Sequence, residues 1–201
     1  MLKLTFSQLY NGLIFAENLP AMRVPVNKIL ILSLALIILT GCKKNFTLSD
    51  EQEVFFQYEY RNYAWGPQHS GYFIDNKGNV LFYNKPEGWN YPDSDMMIYQ
   101  DKLHENLEKC TVSEKTVPLY ELEKYARYIP NISSSKVSAV RNTGADMGSH
   151  KFICYKFDET FRVYKGYLIK MEGDNTCESL NFYSKKIVSW MKGIVETDTP
   201  K

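Results

Sequence analysis

Acid–base or metal chemistry in this chain would have to draw on three histidines, His69, His104 and His150. No two stand at metal-ligand spacing, and neither HExxH nor CxxC occurs. His150 and Cys154 share one face of a predicted strand, but four residues of strand span about 13 Å, too far for a thiolate–imidazolium pair. Ser70 follows His69 without a GxSxG elbow, and neighbouring strand residues point to opposite faces. Asp93, Asp95 and Asp101 lack the ligand spacing and central glycine of a calcium loop, so they read as caps and turn formers. No metal and no cofactor is expected.

The stretch Asn62-Tyr63-Ala64-Trp65-Gly66-Pro67-Gln68-His69-Ser70-Gly71 is the most distinctive. Rings that stack and polar tips that orient suit a groove for a sugar or peptide. Tyr63, Trp65 and His69 are the candidate groove residues, joined by Asp146 between Gly144 and Gly148. A buried Trp at a sheet corner is the plainer explanation of the same residues. Should the protein be a hydrolase, Asp146, His69 and Ser70 are the first residues to test.

The elements that would position these residues follow from periodicity. Residues 53–65 alternate, with Val54, Phe56, Tyr58 and Tyr60 on one face and Phe55, Gln57, Glu59 and Arg61 on the other. That pattern predicts a half-buried strand. Two short strands, 71–75 and 80–83, flank Asn76-Lys77-Gly78-Asn79, where Gly78 supplies a left-handed turn residue. After a loop at 85–95, Asp95 caps a predicted helix to Lys109, with Met96, Tyr99, Leu103, Leu107 and Cys110 on its apolar stripe. A second helix starts near Thr116, with Leu119, Leu122, Ala126 and Ile129 on its stripe, and Pro130 ends it. A strand at 136–141 and a hairpin of 150–157 with 161–171 follow, then a turn at 172–175. The last helix spans about 179–195, with Leu180, Tyr183, Ile187, Trp190, Met191 and Ile194 covering the sheet. Grouped hairpins and helices predict an α+β single domain: a mostly antiparallel sheet from two hairpin groups, two central helices and a C-terminal helix packed on it.

The N-terminal region has another purpose. Residues 29–39 are 11 consecutive positions without charge. As a helix they rise about 16 Å, against a hydrocarbon core of roughly 30 Å, so they are too short to span comfortably. With Arg23 and Lys28 upstream they match the apolar core of an export signal. Leu39-Thr40-Gly41-Cys42 closes that segment and resembles the lipobox of bacterial lipoproteins. The resemblance covers about 20 residues. It implies cleavage between Gly41 and Cys42, a diacylglyceryl group on the Cys42 thiol and acylation of the new amine. Two or three chains anchor stably where one does not, at about 0.8 kcal/mol per buried methylene. Lys43 rather than Asp follows the cysteine, which in Gram-negative lipoproteins permits sorting to the outer membrane. Residues 1–21, with Glu17 and Pro20, fit the signal poorly, so Met22 is the expected start and 1–21 a gene-start artefact or an extended n-region.

The expected organisation is therefore signal peptide 22–41, lipidated tether 42–50 and globular domain 51–201. The full chain carries 24 basic and 23 acidic residues. Lys3, Arg23, Lys28 and Glu17 precede Cys42, which leaves 21 basic and 22 acidic in the mature chain. No nucleic-acid partner is expected from that balance. Four cysteines become one anchor and three others. With the domain outside the cytoplasm, a disulfide between Cys110 and Cys177 is expected, leaving Cys154. The functional expectation is a lipid-anchored envelope protein whose domain binds an envelope protein or glycan. The alternatives are an envelope hydrolase acting on glycan or peptide, or an inhibitor or immunity lipoprotein.

Overall fold

The central strand of the sheet is the alternating aromatic segment, β1 (Val54–Asn62), in a computed structural model that describes residues 46–196. It pairs with β2 (Gln68–Asp75) on one side and β7 (Ser149–Asp158) on the other. β3 (Asn79–Asn84) and β5 (Thr111–Thr116) extend the sheet beyond β2. β8 (Val163–Gly173) extends it beyond β7. The outer edge of β8 pairs with β4 (Met97–Tyr99) at its start and β9 (Asn175–Glu178) at its end, and β6 (Arg141–Asn142) lies outside β9. The strand order is β5-β3-β2-β1-β7-β8-β9-β6, and the paired strands are antiparallel. With α1 (Gln100–Leu107), α2 (Leu119–Ala126), α3 (Ile129–Ser133) and α4 (Ser184–Glu196), this is an α+β single domain.

Both faces of the sheet are covered. Phe56, Tyr72, Ile74, Phe152, Cys154 and Ile169 pack under α2, α3 and α4, where Leu122, Ile132, Ile187 and Met191 meet them. Trp190 lies edge-on to Phe56 and stacks on Tyr125, and the Tyr72 hydroxyl donates to the Met191 carbonyl at 2.6 Å. On the other face Val54, Phe73, Tyr83, Ile153, Tyr155 and Tyr164 pack under α1 and the 85–96 loop, against Leu103, Ile98 and Trp89. β1 enters this arrangement through a bulge between Val54 and Phe56. The bulge moves Val54 to the second face and leaves Phe55 with Phe56 on the first, which shifts the simple alternation at the start of the strand.

The connections fall at two ends of the sheet. At the lower end β1 begins, β2 turns into β3 at residues 75–79 and β7 turns into β8 at 158–163. At the upper end lie the β1–β2 connection, 63–67, and the 143–148 loop. Gly78 takes φ +80 in the lower turn, and a Cβ there would strike the Val117 carbonyl.

Several expectations are corrected. The segment predicted as a helix from Asp95 begins as β4, because Ile98 and Tyr99 pair with Tyr164 and Val163, and Met96 takes φ +61, which no helix permits. α1 is therefore shorter, and Tyr99 is exposed. α2 ends at Ala126, and Pro130 opens α3 rather than merely stopping a helix. Leu119 is exposed, and Tyr125 takes its place on the buried stripe. β5, at the edge, and β9, between β8 and β6, are short polar strands in segments whose turn and cap residues gave no strand signal. The 136–141 segment reduces to a Val137–Ser179 bridge and the short β6. α4 starts at Ser184, so Leu180 and Phe182 lie before it and are exposed. Phe46 and Leu48, within the expected tether, pack on the first core.

Cys110, Cys154 and Cys177 are free thiols. Cys110 adjoins β5 and Cys177 is in β9, six strand spacings apart, about 29 Å along the sheet. A disulfide needs Cα atoms within about 7 Å, so the expected Cys110–Cys177 bond does not form. The lipobox, Gly41, Cys42 and residues 1–45 as a whole lie outside the described residues. Among the described residues no helix is long and apolar enough to cross a membrane.

Candidate functional site

The polar alternation of β1 builds the site. Gln57, Glu59 and Arg61 project from the second face. β2 sets His69 opposite Arg61, and β7 sets Lys151 opposite Glu59. The 85–96 loop then folds over these residues and brings Trp89 and Tyr91 onto them. Asn106 of α1 secures the loop: its side-chain oxygen accepts from the Asn90 N–H at 2.8 Å and its amide donates to the Asn90 carbonyl at 2.7 Å. Asp93 Oδ1 accepts from the backbone N–H groups of Asp95 and Met97, which fixes the far side. Asn106 is fully buried, so Asn106→Ala strands its Asn90 partners and is expected to cost about 2 kcal/mol. The measurement is trypsin cleavage after Lys85, expected to accelerate. A cleavage rate equal to that of the wild type would show that Asn106 does not hold the loop.

Beneath the loop lies a cavity of about 190 Å³. Glu59 is buried, and its Oε1 accepts from Arg61 Nη2 at 2.6 Å and His69 Nε2 at 3.1 Å. The Arg61 guanidinium lies 4.3 Å from the centre of the Tyr91 ring. The Tyr91 hydroxyl stands 3.5 Å from His69 Nδ1, and the imidazole packs among Tyr83, Trp89 and Tyr91. Deeper in, Tyr155 donates to Gln57 Oε1 at 2.5 Å, Gln57 donates to the Tyr83 hydroxyl at 2.9 Å, and Tyr83 donates to the Tyr58 carbonyl at 3.3 Å.

These contacts set the charges. Burial pushes the Glu59 carboxyl up, but the His69 hydrogen bond and the positive charges of Arg61 and Lys151 outweigh it and hold the group below its ordinary value. Glu59 is thus a partnered carboxylate and not a proton donor near neutrality. Burial disfavours the charged Arg61, and Glu59 more than compensates. Arg61 Nε is buried and has no hydrogen-bond partner among the described residues. Burial also keeps the Tyr83 and Tyr155 hydroxyls protonated.

No activated thiol is available in this region of the fold. Burial raises the Cys110 thiol to about 12, and raises Cys154 and Cys177 as well. No group of three or more His, Cys, Asp or Glu side chains that could hold a metal ion occurs among the described residues.

Of the candidate groove and hydrolase residues, the structure brings only His69 beside the cavity, through Glu59, while Asp93, read from sequence as a turn former, lines it. Tyr63 is exposed on the β1–β2 connection and lies near enough to Arg61 and Tyr91 to act on both electrostatically. Trp65 is 84% exposed at the tip of the same connection, neither buried at a corner nor lining the cavity. Asp146 sits exposed in the 143–148 loop at φ +65, and its carbonyl accepts from the Asn62 amide at 3.0 Å. That bond, with Asn62 Oδ1 accepting from the Ala64 N–H at 2.9 Å, docks the two upper loops together. Ser70 pairs with Tyr60 and so projects from the face opposite His69.

Glu59, Arg61, Gln57, Lys151, Trp89 and Tyr91 were not singled out from sequence. One signal was present: a carboxylate and a guanidinium two residues apart in a strand followed, 30 residues on, by a loop carrying two aromatics.

Comparison with protein families, with characterised proteins and with solved structures finds nothing similar to this chain.

Proposed function

We propose that this chain is a lipoprotein of the bacterial cell envelope, anchored by acyl chains on Cys42 and sorted to the outer membrane in a Gram-negative cell, whose domain is a binding module. The observation that carries the binding reading is the buried Glu59–Arg61–His69 cluster beside the cavity under Trp89 and Tyr91. A buried ion pair of this kind is often no more stable than well-packed apolar residues, so retaining one beside a cavity suits recognition better than folding. Arg61 Nε is a spare donor for the ligand, and the Tyr63, Trp65 and Tyr91 rings offer stacking surface beside it. The ligand class these groups suit is an envelope glycan or peptide.

Hydrolysis has weaker support. Ser70 and His69 are on opposite faces of β2, and His69 already spends Nε2 on Glu59. Trp65 projecting from the tip of a loop favours the inhibitor or immunity lipoprotein as the second reading.

Two measurements test the proposal. Labelled palmitate fed to expressing cells is expected to enter the protein, and Cys42→Ala is expected to abolish both incorporation and recovery in the membrane fraction. Label in the Cys42→Ala protein would refute the anchor. For binding, capture from detergent-solubilised envelope is compared between wild type and Arg61→Ala. Binding lost only in the variant supports the site; loss only in Trp65→Ala favours the inhibitor reading, and no loss in either refutes the cavity.

A further inference from the structure

The lower end of the sheet has an apolar, aromatic surface that the helices leave uncovered. On the face where α2–α4 cover most of the sheet, Tyr99 is 65% exposed and Phe161 73% exposed, with Met97, Val163 and Tyr167 between them. These residues line a shallow groove along β4, β8 and the β7–β8 turn. Lys156, Lys165, Asp158 and Glu159, all exposed, also line it, and Lys165 lies over the Tyr167 ring. Leu119 and Tyr120, also exposed, open α2 beside the Gly78 turn at the same end.

The chain itself indicates what meets this surface. The fold receives its N-terminal segment at the lower end. Gln52 donates to the Tyr155 carbonyl at 2.9 Å and accepts from the Phe157 N–H, so residue 52 runs beside the end of β7. The Asp50 carbonyl accepts from Asn76 in the neighbouring turn. Packing already holds Phe46 and Leu48. Only four peptide units separate Phe46 from Cys42, a reach of about 14 Å when fully extended. Asp50, tied to the lower end, is eight peptide units from Cys42, so if Cys42 carries acyl chains the tether allows its bilayer to come within about 28 Å of the end that exposes Tyr99 and Phe161.

We propose that this lower surface rests in the headgroup region of the anchoring bilayer, with Phe161 and Tyr99 inserted at the acyl boundary. The inference rests on the anchoring reading above. Aromatic rings favour the membrane interface, and lysines beside them extend their stems along apolar surface to reach phosphate. Charge is not the driving force, because Glu159, Asp50 and Glu51 are exposed at the same end. Zwitterionic lipid therefore suffices. The opposite end, with Tyr63, Trp65 and the cavity, then faces away from the membrane, where a ligand can reach it.

The test uses the lipidated full chain carrying Phe161→Trp, with Tyr99→Trp as a second variant, in phosphatidylcholine vesicles with brominated or ordinary acyl chains. Flotation with the vesicles is scored first, and failure to float overturns the anchor and this inference together. In floating protein, the emission added by the new Trp is expected to fall by about half or more in brominated lipid, as expected for a ring buried 5–10 Å into the interface. Trp65, at the other end, is expected to be unquenched in the wild type. Floating protein in which neither new Trp is quenched overturns the inference, leaves the anchor standing and turns this surface over to a protein partner.

Discussion

Replacing Glu59 with Gln is expected to destabilise the domain by about 3 kcal/mol at pH 7, the cost of removing one partner from a buried charge cluster. Glu59 is the common acceptor for Arg61 and His69. Its neutral isostere leaves Arg61 half-buried without a counter-charge and offers His69 a weaker acceptor. The effect has a pH signature. Because the Glu59 carboxyl is held below its ordinary value of 4.5, folding is favoured by its ionisation at pH above that value. This contribution is lost as pH falls through the lower, folded-state value. Wild type and Glu59→Gln should therefore differ fully above pH 4.5 and progressively less as the pH falls below it. Urea unfolding followed by Trp fluorescence at pH 7 and at pH 3.5 measures both. Curves separated equally at the two pH values would show that the carboxylate is not what stabilises the cluster.

Gly71→Ala is expected to be as damaging, for a different reason. Gly71 lies opposite Glu59 in the β1–β2 pair and opposite Tyr83 in the β2–β3 pair. A Cβ at this position would overlap the Tyr58 carbonyl oxygen and stand 2.5 Å from the Tyr83 hydroxyl. The hydroxyl belongs to a side chain, but the carbonyl belongs to the neighbouring strand. Relief therefore requires the two central strands to part, which also undoes the Tyr83–Gln57–Tyr155 hydrogen bonds under the cavity. The expected cost is about 4 kcal/mol, a fall in Tm of about 10 °C. Adding Tyr83→Phe, which removes the hydroxyl, is expected to recover little, because the clash with the backbone remains. Thermal unfolding of the single and double variants measures this, and a fall below about 2 °C would exclude the strand contact as the constraint.

Much of the fold was legible locally. The β2–β3 turn follows from Gly78 between two short apolar runs, and the β7–β8 hairpin follows from two long alternating runs around Asp158-Glu159. The C-terminal helix placed Ile187, Trp190 and Met191 on the sheet as its periodicity required. The failures share a cause. β4 and β9 are strands because β8 offers them an edge, and three or four residues carry no period of their own. The bulge at Val54–Phe56 is likewise invisible in an alternation that reads well in both registers.

The site was less legible than the fold. Gln57, Glu59 and Arg61 read as the wet face of a half-buried strand, because polar alternation is what a solvated face looks like. They are covered because the 85–96 loop, pinned by Asn106, crosses over them. Trp65 drew attention by its residue type, yet it stands in the open, while Trp89, in a loop read as connection, packs against His69.

By itself, then, the order of residues determined the α+β class, the two principal hairpins and the C-terminal helix, since each depends on periods and turn chemistry spanning fewer than about 20 residues. Only the tertiary structure decided that β1 is central, that its charged face is roofed, and that Glu59, Arg61 and His69 form one cluster. Those outcomes depend on which distant segment pairs or packs with which. His69 reaches Glu59 across only ten residues of chain, but Lys151 reaches it across 92, and no local pattern encodes that pairing.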